Sequence, residues 1–231
     1  MCGRYTNTGR PDELNDRLRV PILSDAGTGR YNVAPTEQVL VVISPKGEPE
    51  ARMMRWGLVP SWATDVKSGP LAINARSETV ATNGMFKRLV GTGTRRALQI
   101  ADGWYEWLKP EKRGELKQPF HFQVDGGEPF AFAALWTPAK IDGEWMQSVT
   151  LLTTDSAPNP IARSIHNRMP VVLADPEARA AWLDHSLDAE AALELCGALP
   201  SDRLSAHPAN PAVNRVDPET EGPQLLHIPQ A

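Results

Sequence analysis

Short apolar runs punctuated by Gly, Pro and Asp recur along the chain, at Gln38–Ile43, Ala97–Ala101, Phe120–Val124, Phe130–Leu135, Val149–Thr153 and Val171–Leu173. Runs of this length between turn residues predict strands. Helical patterning is sparser. Pro11–Leu18 opens on a proline and places Asp12 and Glu13 in its first turn, the arrangement expected of a helix start. Ser77–Ala81 and Met85–Leu89 read as short helical pieces, and Pro176–Asp184 and Asp188–Cys196 as helices entered through an Asp cap. Strands and helices do not alternate, which predicts an α+β fold: a single β-rich domain over 1–231, with a largely antiparallel, barrel-like sheet and peripheral helices. The segment after Pro200 carries prolines at 208, 211, 218, 223 and 229, and reads as an extended tail over the surface.

Composition narrows the class without naming a chemistry. Of 231 residues, 41% are hydrophobic and 23% charged, which is ordinary for a globular protein. Neither a signal-peptide core nor a membrane-length apolar run is present in the sequence, so a cytoplasmic location is expected. The two cysteines, Cys2 and Cys196, make neither a disulfide framework nor a zinc cluster, and no metal or cofactor is expected. The net charge of −4 is unevenly spread. Residues 1–120 carry 18 Lys and Arg against 13 Asp and Glu, net +5, whereas residues 121–231 carry 6 against 15, net −9. A basic face drawn from the first half would attract a polyanion, although the same charges scattered over the surface would not.

Cys2 follows the initiator Met1. If Met1 is removed, Cys2 has two nucleophiles on adjacent carbons: an α-amine titrating at about 7.7–8.0 and a thiol near 8.5. An amine attacks an aldehyde to give an imine, and the adjacent thiol closes a five-membered thiazolidine in an effectively intramolecular step. A 1,2-aminothiol is therefore an aldehyde trap; otherwise Cys2 is a small residue opening a strand. Glu106 lies within Asp-Gly-Trp-Tyr-Glu-Trp, where apolar neighbours would raise its pKa and suit it to proton transfer, or where it is a structural acid. His166 and Arg168 in Ile-His-Asn-Arg-Met-Pro supply a group titrating near neutrality and a phosphate-pairing cation on one side of an extended segment. Asn74 and Arg76 share a face in the same way, able to hold an amine or sugar oxygen and a phosphate. Trp56 and Trp62, close to Arg55, are candidate stacking surfaces or core residues, and Asn32 and Pro35 are candidates to line a cleft.

Taken together and in this order, six segments resemble the SOS-response-associated peptidase family of abasic-site-processing proteins. They are Met-Cys-Gly-Arg-Tyr at 1–5, Tyr-Asn-Val-Ala-Pro at 31–35, Arg-Trp-Gly-Leu-Val-Pro-Ser-Trp at 55–62, Ile-Asn-Ala-Arg-Ser-Glu at 73–78, Gly-Trp-Tyr-Glu-Trp at 103–107 and Ile-His-Asn-Arg-Met-Pro at 165–170. The resemblance implies that Cys2 bonds covalently to an abasic site in single-stranded DNA after Met1 is lost. It further implies that Glu106 and His166 assist proton transfer, that Asn74 positions the Cys2 terminus, and that Arg4, Arg76 and Arg168 hold phosphates while Trp56 or Trp62 stacks on a base. A monomer is expected. The residues alone leave two alternatives open: a cysteine peptidase using Cys2, His166 and Glu106, acting on other peptides or on itself alone, and a non-covalent reader of single-stranded or modified DNA.

Overall fold

The computed structural model describes residues 2–20, 22, 27–67, 69–110 and 117–228. In chain order the strands are β1 (Arg4–Asn7), β2 (Arg30–Val33), β3 (Gln38–Ile43), β4 (Glu50–Trp56), β5 (Asn74–Arg76), β6 (Arg96–Ala101), β7 (Gly103–Leu108), β8 (Gln118–Val124), β9 (Phe130–Ile141), β10 (Glu144–Asp155), β11 (Arg168–Pro170), β12 (Val172–Leu173) and β13 (Leu204–Pro208). The helices are α1 (Pro11–Leu18), α2 (Lys87–Gly91), α3 (Pro160–Ile165), α4 (Pro176–Leu183) and α5 (Ala189–Leu193). None of them is long and apolar enough to cross a membrane.

One sheet runs β13-β8-β7-β1-β2 and is antiparallel throughout. In the second, β10-β4-β3-β6-β9 close on themselves because β9 pairs back to β10. The seam between β4 and β10 is parallel, as is the pairing of β5 with β10; the other pairings of this barrel sheet are antiparallel. The fold is thus α+β with a largely antiparallel barrel, and closure removes most of the exposed strand edges.

The barrel strands are apolar on both faces because both faces are covered. Val39, Val41, Phe130, Phe132 and Leu151 share a core with Cys2, Tyr5, Trp104 and Phe122 of the five-stranded sheet. The alternate positions, among them Leu40, Val42, Ala131, Ala133 and Leu152, pack with Leu14 and Leu18 of α1 and Trp182 of α4. This explains the unbroken apolar runs, since a strand buried on both faces has no polar alternation.

Several elements differ from the sequence expectation. β9 and β10 are each 12 residues long, extending well past Leu135 and starting well before Val149. They are joined through Asp142 and Gly143, whose φ angles of 48° and 87° suit a tight hairpin. Ser77–Ala81 is a turn, not a helix: the Ser77 N–H goes to the Thr153 carbonyl, which ties the segment to β10. The helix expected at Met85–Leu89 lies two residues later. Asp188 does cap α5 through Ala191 N–H, but the Asp175 carboxylate binds Arg203 instead of capping α4. The tail is not simply extended chain. It contributes β13 and then two 3-10 turns, Pro211–Asn214 and Pro223–Leu225. Ala209, Val213 and Leu226 from this segment pack on Tyr105 and Trp107 at the back of β7.

That back face also requires a glycine. A Cβ on Gly103 would lie 2.3 Å from His121 Nε2 and 2.7 Å from the Phe122 carbonyl, and the backbone partner cannot rotate away. Gly103→Ala is expected to destabilise the fold by about 1–3 kcal/mol, the usual cost of overpacking. An unchanged denaturation midpoint would overturn this assignment.

Candidate functional site

Cys2 precedes β1 at the junction of the two sheets and is fully buried. Its Sγ lies 3.7 Å from the Arg4 carbonyl, and its own carbonyl accepts a 2.9 Å hydrogen bond from Asn74 Nδ2. Asn74 reaches this position because β5 pairs in parallel with β10, setting Asn74 opposite Leu151 and Arg76 opposite Thr153. Met1 lies outside the described residues. Burial pushes the Cys2 thiol well above the ordinary cysteine value, and the nearby Glu106 carboxylate pushes it further. The side chain is therefore a neutral thiol until a base removes its proton.

Glu106 sits on β7, which pairs with β1, the strand that Cys2 leads into. Trp104, Glu106 and Leu108 alternate onto the face turned toward the core. Burial raises Glu106 from 4.5 to about 7, which makes it able to take or give a proton near neutrality.

His166 is the C-cap of α3, a helix packed on β7. Asn159 holds the start of that helix by accepting from Ala162 N–H and donating to the Leu199 carbonyl. At the helix end Ser156 Oγ donates to the His166 carbonyl at 2.7 Å. The imidazole Nδ1 lies 3.0 Å from the Arg168 backbone nitrogen and 3.2 Å from the Arg168 carbonyl oxygen, so the Arg168 backbone holds the ring in place. Burial, above all, lowers the His166 pKa, so the ring is neutral at pH 7.

The positions named for DNA contact divide into two groups. Arg4 is half-buried and its Nη1 donates to the Gly3 carbonyl; Arg76 and Trp62 are exposed, Trp62 at 71%. Pro35 is half-buried in the turn that leads into β3. Trp56 and Asn32, in contrast, serve the interior. Trp56 is fully buried, edge-on to Tyr5 at 5.3 Å, with Nε1 donating to the Ile73 carbonyl, so no ring face remains for a base. Asn32 is 1% exposed and donates to the Val213 and Arg215 carbonyls, anchoring the tail and not lining a cleft. Arg168 makes a two-point ion pair with Glu78, at 2.7 and 2.9 Å, and also reaches Thr153. Its guanidinium thus braces the turn that carries His166, and a phosphate arriving there would compete with Glu78.

Residues that sequence reasoning passed over complete this frame. Glu78 fixes Arg168, Ser156 fixes the His166 backbone, and Glu37 accepts from Arg30 and from Ala34 N–H beside Pro35. Glu78 closes the Asn-Ala-Arg-Ser-Glu run, but its partner stands 90 residues away, a separation that local spacing does not report.

The profile described as SOS response associated peptidase matches residues 1–216. The abasic site processing protein YedK of Escherichia coli is 33% identical over 233 residues, covering 98% of this chain and 99% of its own. YoqW of Bacillus subtilis, likewise named an abasic site processing protein, is 30% identical over the same shares. HMCES of Xenopus tropicalis, of the same description, is 27% identical over 93% of this chain and 75% of its own. Among solved structures, a protein from Bacteroides thetaiotaomicron has a TM-score of 0.82 at 20% identity, covering 99% of this chain and 100% of its own. A phage-related protein from Bordetella bronchiseptica has a TM-score of 0.70 at 28% identity, over 90% and 93%. With a profile that covers residues 1–216 and relatives matched over 98% of it, the chain belongs to the SOS response associated peptidase family.

Proposed function

We propose that this protein captures abasic sites in single-stranded DNA by forming a thiazolidine between their C1′ aldehyde and Cys2, after removal of Met1. The observation that carries the reading is the Cys2 thiol buried beside Glu106, a carboxyl group poised near pH 7, with the Cys2 carbonyl held by Asn74. The names of the relatives, abasic site processing proteins, support the same lesion as substrate.

The chemistry balances without a cofactor. The Cys2 amine adds to the aldehyde carbon of the ring-opened sugar, and water leaves as the imine forms. The thiol sulfur then bonds to C1′, its proton passing through Glu106 to the imine nitrogen. His166 hydrogen-bonds the sugar oxygen released as the ring opens. Arg4 and Arg76 neutralise phosphates on the approach, and Trp62 offers an exposed ring to a neighbouring base. Arg168 joins them where a phosphate displaces Glu78.

Purified protein is expected to be one methionine lighter than its translated sequence, and to give a denaturant-resistant adduct with an oligonucleotide containing one abasic site. Cys2→Ala is expected to give none. An adduct that survives in Cys2→Ala, or wild-type protein that binds intact and abasic strands alike and releases both in denaturant, sinks the covalent reading.

The pH dependence follows from Glu106. As a proton acceptor it must be ionised, so the adduct-forming rate in wild type should rise with pH through about 7. Glu106→Gln should lose that rise and slow the reaction by roughly 10²-fold or more, the usual contribution of a positioned acid–base group. Stability should move the other way. The folded pKa of about 7 exceeds the ordinary 4.5, so the folded state binds the proton more tightly, and wild type should lose stability as pH climbs between these values. Glu106→Gln should remove this component of the stability–pH curve. A mutant with the wild-type rate profile would exclude Glu106 as the proton carrier.

A further inference from the structure

On the face of the five-stranded sheet that the tail covers, three histidines stand in a row. Strand register builds most of it. His121 on β8 is the direct partner of Tyr105 on β7 and of His207 on β13, and partners of this kind share a face. The His121 ring lies 5.0 Å from Tyr105 and 5.3 Å from His207. His227 of the returning tail stacks on His207 at 5.1 Å, 26° from parallel. The row grades from dry to wet: His121 is 2% exposed, His207 half-buried and His227 exposed.

The groups packed around the row leave a proton on it without a counter-charge. On β1, Thr6 Oγ1 lies 3.3 Å from His121 Nε2, and Arg4, opposite Tyr105, adds positive charge at the far end. On β7, Tyr105 donates its hydroxyl to the Tyr31 carbonyl. The carboxylates that act on Tyr105, Glu221 and Asp102, are engaged elsewhere. Glu221 is held by Arg30 and by the N–H groups of Tyr31 and Asn32, and Asp102 by Thr8 and the Gly9 N–H. His121 Nδ1 and His207 Nδ1 are buried with no hydrogen-bond partner among the described residues. Nor, among those residues, are three His, Cys, Asp or Glu side chains arranged to hold a metal ion, so the cation that concerns the row is the proton.

We propose that the row is an acid-sensitive latch on the C-terminal segment 223–228: protons bound at His207 and His227 set like charges face to face, and the segment lifts off β7. Against that repulsion stand Leu226, packed on Tyr105 and Trp107, and two 3.1 Å bonds in which Asn210 donates to the Leu225 and Gln224 carbonyls. Burial above all, then His207 and His227, holds His121 down to about 3, so the inner end of the row stays neutral. Burial and then His227 lower His207 below the ordinary 6.5. Above that pH neither the latched nor the lifted state carries the charge. As pH falls below it the lifted state takes the proton first, so the latch weakens toward acid. The strand it covers is the one that carries Glu106.

Hydrogen exchange of the whole protein at pH 7 and pH 5, corrected for the intrinsic effect of pH on exchange, tests the latch. In wild type the Asn210 and Leu225 amides should exchange about tenfold faster at pH 5, the scale of one histidine released over that range, while amides of β3 and β6 stay protected. His227→Gln should show a smaller rise, and His207→Gln/His227→Gln none, with protected barrel amides reporting that both variants are folded. Glu106→Gln, which removes another group titrating in this window, should keep the full rise. Unchanged exchange at Asn210 and Leu225 in wild type overturns the latch, as does a wild-type rise in the double variant or the loss of the rise in Glu106→Gln.

Discussion

The aromatic seam between the five-stranded sheet and the barrel is the constraint on which the rest depends. Tyr5 of β1 stands edge-on to Trp56 at 5.3 Å and to Phe132 at 5.9 Å, while Trp104 stacks on Phe122 and meets Phe130 and Phe132 edge-on. Such pairs contribute about 0.5–1.5 kcal/mol each beyond the area they bury, and here they lock two separately hydrogen-bonded sheets into one core. Cys2 lies in that core, three residues ahead of Tyr5. The seam therefore fixes where Cys2 is and how dry its surroundings are.

Burial acts in opposite directions on Glu106 and His166. It raises the carboxyl of Glu106 and lowers the imidazole of His166, so both lean toward their neutral forms at pH 7. Two groups of this kind add little fixed charge to their surroundings. Fixed positive charges stand elsewhere, on exposed Arg76, on half-buried Arg4 and on Arg168, which is paired with Glu78.

Legibility in the sequence followed the range of the interactions. Strands buried on both faces, such as Gln38–Ile43 and Phe130–Leu135, announce themselves as apolar runs. The second half of β9 does not: Thr137-Pro138-Ala139-Lys140 mixes polar residues with a proline that reads as a stop, yet the segment remains paired with β10 as far as Ile141. β1 lacks an apolar run altogether and is held by neighbours about a hundred residues away in β7. The motif residues were recognisable as a set, but their individual duties depended on distant partners. Trp56 is core because Tyr5 and the Ile73 carbonyl claim it, and Asn32 is an anchor because the tail returns to it from Val213 and Arg215. Local spacing carries no trace of either contact.

The order of these partners along the chain has a consequence for biosynthesis. Cys2 is made well before the groups around it, which come from positions 74 and 106, and before Ala209, Val213 and Leu226, which cover the back of β7. A nascent chain thus exposes its cysteine long before any pocket exists around it. Until the ribosome has delivered the strands that cover it, the thiol stands in water as an ordinary surface sulfhydryl, open to electrophiles and without the carboxyl group that later lies beside it.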